Sequence, residues 1–195
     1  MLNEKYVIFI LEDLLITNHI ETKRIEELLH YMIDKKAACL RLYPCPGPDT
    51  PCNDNPFVGE IVKGAPYRSS TMVAIWDKDI LFNLLKNGET AWEFELIGTN
   101  RSNLINSPFL SVKRDNNIPL EYNSNIPIRY ICTAITRGKW MPEVPDFLNK
   151  EGIHIDFSQR GFWKRQNNYV YILNVCMQKS IKFFKNIKNL FPKRV

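Results

Sequence analysis

Two adjacent carboxylates, Glu12 and Asp13, close an apolar run that begins at Tyr6. A run rich in aromatic and β-branched residues reads as a strand covered on both faces, and ligands of open α/β sheets gather at the carboxyl ends of such strands. Two acids at that rim repel each other unless a cation neutralises them, and a hard ion such as Mg²⁺ or Mn²⁺ prefers carboxylate oxygen. The plainer alternative is a solvated turn. A second pair, Glu93 and Glu95, flanks Phe94 just after Trp92. Thr90 and Glu93 fit a capping box, which gives Glu93 a structural task. Glu95 has none, and reads either as a general base beside an indole that stacks on a sugar or as a solvated helix residue. Arg137 and Lys139 around Gly138 could meet phosphate, or simply lie on a surface turn. His154 and Asp156 alternate on one face of an expected strand over 153–157 and could add to a metal shell, against the alternative of a surface His opposite an acid.

The elements that must position these groups follow from periodicity. Residues 21–33 carry Ile25, Leu28, Leu29, Met32 and Ile33 at helical spacing, and residues 37–42 read as a second strand. Together with the first strand they predict a strand-helix-strand unit with a parallel pair and a right-handed crossover. Residues 43–67, rich in Pro, Gly, Asp and Asn, read as one long loop, a flap beside a site or plain disorder. Residues 70–76 predict a strand, Asp77 an N-cap, and residues 78–86 a helix closed by Gly88. Phe109 to Val112 is the strand-like core of an otherwise Asn-, Ser- and Pro-rich stretch. A strand over 131–135 and a short helix after Pro142 follow. Beyond residue 170, Leu173, Met177, Ile181, Phe184, Ile187 and Phe191 recur every three or four residues beside a stripe of Lys179, Lys182, Lys185 and Lys188. That pattern predicts a basic amphipathic helix for a membrane surface or a partner.

With 195 residues and 45% apolar content, the chain can build a real core in one domain plus an appendage, here 1–165 and 166–195. The net charge of +5 is concentrated toward the C-terminus, and the aromatics there lie on the apolar stripe, so nucleic acid is not the expected partner. Five scattered cysteines without metal spacing read as reduced thiols of a cytoplasmic protein. No cleavable leader and no run of about 18 apolar residues is legible.

In sequence order, the segments Leu11–Thr17, Leu40-Arg41-Leu42, Ala74 to Lys78, Trp92 to Glu95 and Arg137 to Trp140 resemble successive landmarks of bacterial glycosyltransferases with the GT-A fold, of the kind found in capsule and lipopolysaccharide gene clusters. The resemblance covers about residues 5–163 and implies a partial Rossmann-like mixed α/β sheet flanked by helices. It implies a nucleoside-diphosphate sugar as donor and a saccharide or lipid-linked saccharide as acceptor. It places Asp13, joined by His154, at a Mn²⁺ or Mg²⁺ ion, and Glu12, Arg137 and Lys139 at the donor diphosphate. Glu95 or Glu93 becomes the base that deprotonates the acceptor, with Trp92, Trp76 and Trp140 contacting its sugars. Because the acidic motif arrives at residue 12, most of the nucleotide-binding half that this fold places ahead of it is missing. A rival reading follows: an inactive remnant that binds carbohydrate or a partner at the membrane surface.

Overall fold

The computed structural model describes residues 3–119, 122–131 and 133–164. The chain divides into two compact units, Met1–Ala134 and Ile135–Val195.

The first unit is a mixed α/β structure on a six-stranded sheet. Its strands are β1 (Tyr6–Phe9), β3 (Cys39–Arg41), β4 (Thr50–Cys52), β5 (Asn55–Glu60), β6 (Ala74–Asp77) and β7 (Phe109–Val112), in the order β1-β6-β3-β7-β5-β4. A short β2 (Leu15–Ile16) pairs separately with β8 (Tyr130–Ile131). Helix α1 (Thr22–Asp34) covers one face of the sheet with Leu28 and Met32, packed with Leu40, Val58, Ile75, Leu110 and Val112. Helix α2 (Lys78–Leu84) and Phe94 cover the other, packed with Cys39, Ala74, Trp76 and Phe109. Alternation along β3 and β7 thus delivers side chains to two apolar layers, and all seven residues of these central strands are buried.

The expected strand-helix-strand unit forms with a different pairing. β1 and β3 run the same way, but β6 lies between them, antiparallel to both. An antiparallel strand that begins only at Ala74 displaces the direct parallel pair, and each central strand still gains two partners. β1 is left with β6 as its one partner among the described residues. Lys78 N–H donates to Lys5 O, so the alternation turns the backbone polar groups of Val7 and Phe9 toward β6 and those of Tyr6 and Ile8 away from it.

The stretch 43–67 is also more ordered than its composition implies. It contains the hairpin β4–β5, and β5 joins the sheet through Val58, Gly59 and Glu60 against β7. Pro51 is tolerated because β4 is an edge strand. Gly59 is required: a Cβ there would lie 2.5 Å from Thr50 O and 2.7 Å from Pro48 Cγ. Tyr31 donates to Asp54, and Lys35 pairs with the same carboxylate, which ties the hairpin turn to α1.

Local signals were followed closely. The Asp77 side chain accepts from the N–H groups of Asp79 and Ile80, capping α2. Thr90 and Glu93 form the complete capping box of α3 (Ala91–Glu93), which runs through a π-helical turn (Phe94–Gly98) into α4 (Thr99–Ser102).

In the second unit, β9 (Ile135–Thr136) and β10 (Lys139–Trp140) form a hairpin, so the single strand expected over 131–135 is split between two sheets. Helix α5 (Val144–Lys150) follows. His154 and Asp156 do not lie on a strand; Asp156 instead caps a 3-10 turn (Phe157–Gln159) by accepting from Ser158 N–H. Trp140, Phe157 and Phe162 stack as a small aromatic cluster. The amphipathic pattern of 170–191 lies outside the described residues.

Candidate functional site

The same-direction strands β1 and β3 end at one rim of the sheet, where β6 begins. Phe9 and Arg41 are both in register with Ala74. With strands about 4.8 Å apart, the chains leaving Phe9 and Arg41 start about 10 Å from each other.

On the β1 side, Leu14 N–H donates to Leu11 O, which puts Glu12 and Asp13 at the centre of a β-turn. Glu12 is exposed and Asp13 half-buried. Thr133 Oγ1 donates to Asp13 Oδ2 at 2.7 Å, and Ala134 N–H donates to Asp13 O at 2.8 Å. Asp13 is therefore fixed by main chain and side chain together. The pair thus lies on a turn beyond Ile10 and Leu11, past the end of β1, with Glu12 solvated and Asp13 half-buried. Glu12 and Asp13 are the residues of this turn that could offer carboxylate oxygen to a hard divalent cation, which takes one or two carboxylates and keeps several waters. Among the described residues no group of three or more His, Cys, Asp and Glu side chains converges as a metal shell.

On the β3 side lies a buried polar layer. Arg41, with 2% exposure, donates to Pro46 O at 2.6 Å and Tyr67 O at 2.7 Å. Burial pushes its guanidinium down, against the charge of Glu95 among others. Glu95 is buried, and its Oε1 accepts from Ser70 Oγ (3.0 Å), Thr71 N–H (2.9 Å) and Thr71 Oγ1 (2.8 Å). Each bond to a charged group contributes about 1.5–3 kcal/mol. Arg68, also 2% exposed, donates to Ile61 O and to Ser102 O and lies 3.9 Å from the Phe109 ring centre. These bonds hold the segment from Tyr67 to Thr71 against the sheet end.

The backbone at Tyr67 is unusual. It follows Pro66 in a turn with φ +57°, the left-handed region that glycine usually fills. Such a conformation costs about 1–3 kcal/mol and persists where its surroundings over-determine it. Arg41 on the Tyr67 carbonyl supplies that constraint.

The remaining candidates are placed as follows. Trp76 is 1% exposed in the core, packed on Phe94 and Phe109, so the sugar-stacking face assigned to it is unavailable. Trp92 is 74% exposed. Glu93 serves the capping box. Glu95 is neither solvated nor open to an acceptor hydroxyl; it is a buried anchor. Its neighbours Ser70 and Thr71 lie more than 20 positions away in sequence, beyond the reach of local spacing. Arg137 and Gly138, with φ of +51° and +76°, are the two turn residues between β9 and β10, and Lys139 opens β10. These residues, Trp140 and the exposed His154 belong to the second unit. Cys39, on β3, has its thiol pushed up to about 12 by burial, which makes it inert.

No family model, curated protein or solved structure matches the chain. Among the described residues, no helix is long and apolar enough to cross a membrane.

Proposed function

We propose that the rim formed by the ends of β1 and β3 binds a nucleoside-diphosphate sugar and transfers its sugar to a saccharide or lipid-linked saccharide, in the manner of a GT-A glycosyltransferase. The observation that carries this reading is Asp13: a half-buried carboxylate at a strand end, aimed by Thr133 and the Ala134 amide, with Glu12 beside it. Asp13 would be the principal ligand of a Mn²⁺ or Mg²⁺ ion, and Glu12 would support the same charge. When bound, such an ion would offset the negative charge that develops on the departing diphosphate. The protein's own part is to hold Asp13 still, so that no reorganisation is needed as charge develops. Attachment to the inner face of a membrane through residues 170–191 would bring this rim to lipid-linked acceptors.

A second reading, a carbohydrate- or partner-binding module without turnover, is favoured by Glu95, whose engagement with Ser70 and Thr71 removes it as a free base. One experiment separates the two. Thermal unfolding with Mn²⁺ and UDP or GDP should raise the Tm of the wild type, and Asp13→Asn should abolish that rise. A wild-type protein whose Tm does not respond to nucleotide and Mn²⁺ leaves the binding module as the function.

A further inference from the structure

Helix α2 and the helical stretch that runs from α3 through the π-helical turn into α4 lie over the same side of the sheet, where they give Leu81, Leu84 and Phe94 to one core cluster. Arg101 ties the two together: its Nε and Nη2 donate to Leu84 O, and its guanidinium pairs with Glu89 just beyond α2. Outward, they depart from the polar face that a surface helix normally shows. Trp92, Leu96 and Ile97 are exposed where Phe94, Glu95, Gly98 and Thr99 are buried, and Phe82 and Leu85 are exposed where Leu81 and Leu84 are buried. Phe82 is 72% exposed, and Leu104, just past α4, is 84% exposed. Single exposed apolar residues are ordinary, but six large ones here leave on the order of 600 Å² of apolar surface, at the top of the range for the largest patch on a monomer.

Two features say what covers this face. The first is its area: a standard interface buries about 800 Å² on each partner, a little over half of it apolar, so the face supplies what a stable pair requires. The second is its charge. Residues 78–104 carry three basic and four acidic side chains, with no positive excess to hold an anionic bilayer. Asp79 in the first turn of α2 and Lys86 beyond its end are both exposed, with Phe82 between them. Where two copies meet across a two-fold axis with α2 antiparallel to its mate, Phe82 falls at the centre and each Asp79 faces the partner's Lys86.

We propose that this helical face docks a second copy of the chain, as a symmetric dimer anchored by Trp92 and Phe82. The proposal is independent of the sheet-end site and of any ligand bound there.

Sedimentation equilibrium of the full chain tests it. The wild type should reach twice its 22.9 kDa above a Kd of about 10 µM, within the range that interfaces of this size span. Trp92→Ala should weaken the dimer about thirtyfold, the loss expected of a central tryptophan anchor, and Trp92→Asp combined with Leu96→Asp should leave a monomer. Both positions are exposed, so Tm should stay within about 2 °C of wild type; Phe82→Glu repeats the test from α2 should the Asp pair lower it. Asp79→Lys should weaken the dimer, and Asp79→Lys combined with Lys86→Asp should restore it. Helix stability cannot produce that rescue, because each exchange by itself disfavours α2, an acid belonging at its start and a base at its end. Ile8→Lys, on the far edge strand β1, should leave the mass unchanged. A wild type still monomeric at about 200 µM overturns the proposal, since even a weak pair of this size assembles there. So does a dimer that Ile8→Lys dissolves and the Trp92 variants leave intact. A monomer that floats with phosphatidylcholine vesicles, and ceases to in Trp92→Asp, overturns it too and assigns the face to lipid.

Discussion

Glu95 Oε1 accepts from both the backbone N–H and the hydroxyl of Thr71, at 2.9 and 2.8 Å, across 24 positions of sequence. The π-helical turn that carries Glu95 is thereby joined to the segment that opens the sheet's rim. Its carboxylate works as a clamp.

Removing that clamp should therefore appear first in stability. Glu95→Ala leaves three buried donors without an acceptor and Arg41 without a nearby negative charge, a loss on the order of 3–5 kcal/mol. Glu95→Gln keeps an acceptor oxygen and the side-chain volume, and should lose a smaller part of it. Urea midpoints at constant m-value measure both. If Glu95→Gln keeps the wild-type midpoint while sugar transfer disappears, the carboxylate is a base after all.

The capping box makes a contrasting prediction for the neighbouring acid. Glu93 Oε2 accepts from Thr90 N–H and Oγ1, and Thr90 Oγ1 accepts from Glu93 N–H. Thr90→Ala should cost about 1 kcal/mol, and Glu93→Gln much less, because glutamine also serves the box. Neither should change ligand binding; a loss of saccharide or nucleotide affinity in Glu93→Gln at unchanged Tm would assign Glu93 to the site.

The lysine-rich C-terminal stripe can be tested by itself. Reversible sedimentation with anionic vesicles should weaken as salt passes about 0.15 M, where the screening length is roughly 8 Å. Phe184→Asp should disrupt it more than any single Lys→Ala, since a buried aromatic contributes about 1.5–3 kcal/mol and each Lys about 1. Equal sedimentation of the full chain and a chain ending at Tyr169 would exclude this segment as the attachment.

What the sequence disclosed was what depends on near neighbours. The Asp77 cap, the Thr90–Glu93 box, the amphipathic face of α1 and the acidic end of β1 are all set by residues a few positions apart. β6 between β1 and β3 was not legible, because pairing between positions as far apart as Arg41 and Ala74, or Phe9 and Ala74, leaves no local mark. The β4–β5 hairpin was hidden by Pro51, Pro56 and Gly59, which the edge strand β4, the start of β5 ahead of its pairing with β7 at Val58, and a close approach to Pro48 respectively accommodate. Glu95 was left between a base and a solvated helix residue because the groups that hold it in the interior, Ser70 and Thr71, lie 25 and 24 positions away. One overlooked signal was available: Arg41 stands between Leu40 and Leu42 in a buried strand, and a charge so placed must find partners. Following it would have led to Pro46 and Tyr67.

The outer side of β1 carries a hazard of its own. Tyr6 and Ile8 turn backbone donors and acceptors away from β6, Ile8 is 47% exposed, and no proline or charge interrupts Tyr6 to Leu11. Among the described residues nothing pairs with this apolar border, and such a border is a template on which further strands can add, from a neighbouring molecule or from a partly unfolded one. Lys5 is the nearest gatekeeper, at the strand's very start. Concentration would thus favour self-association along this border, and Ile8→Lys is the simplest way to blunt it.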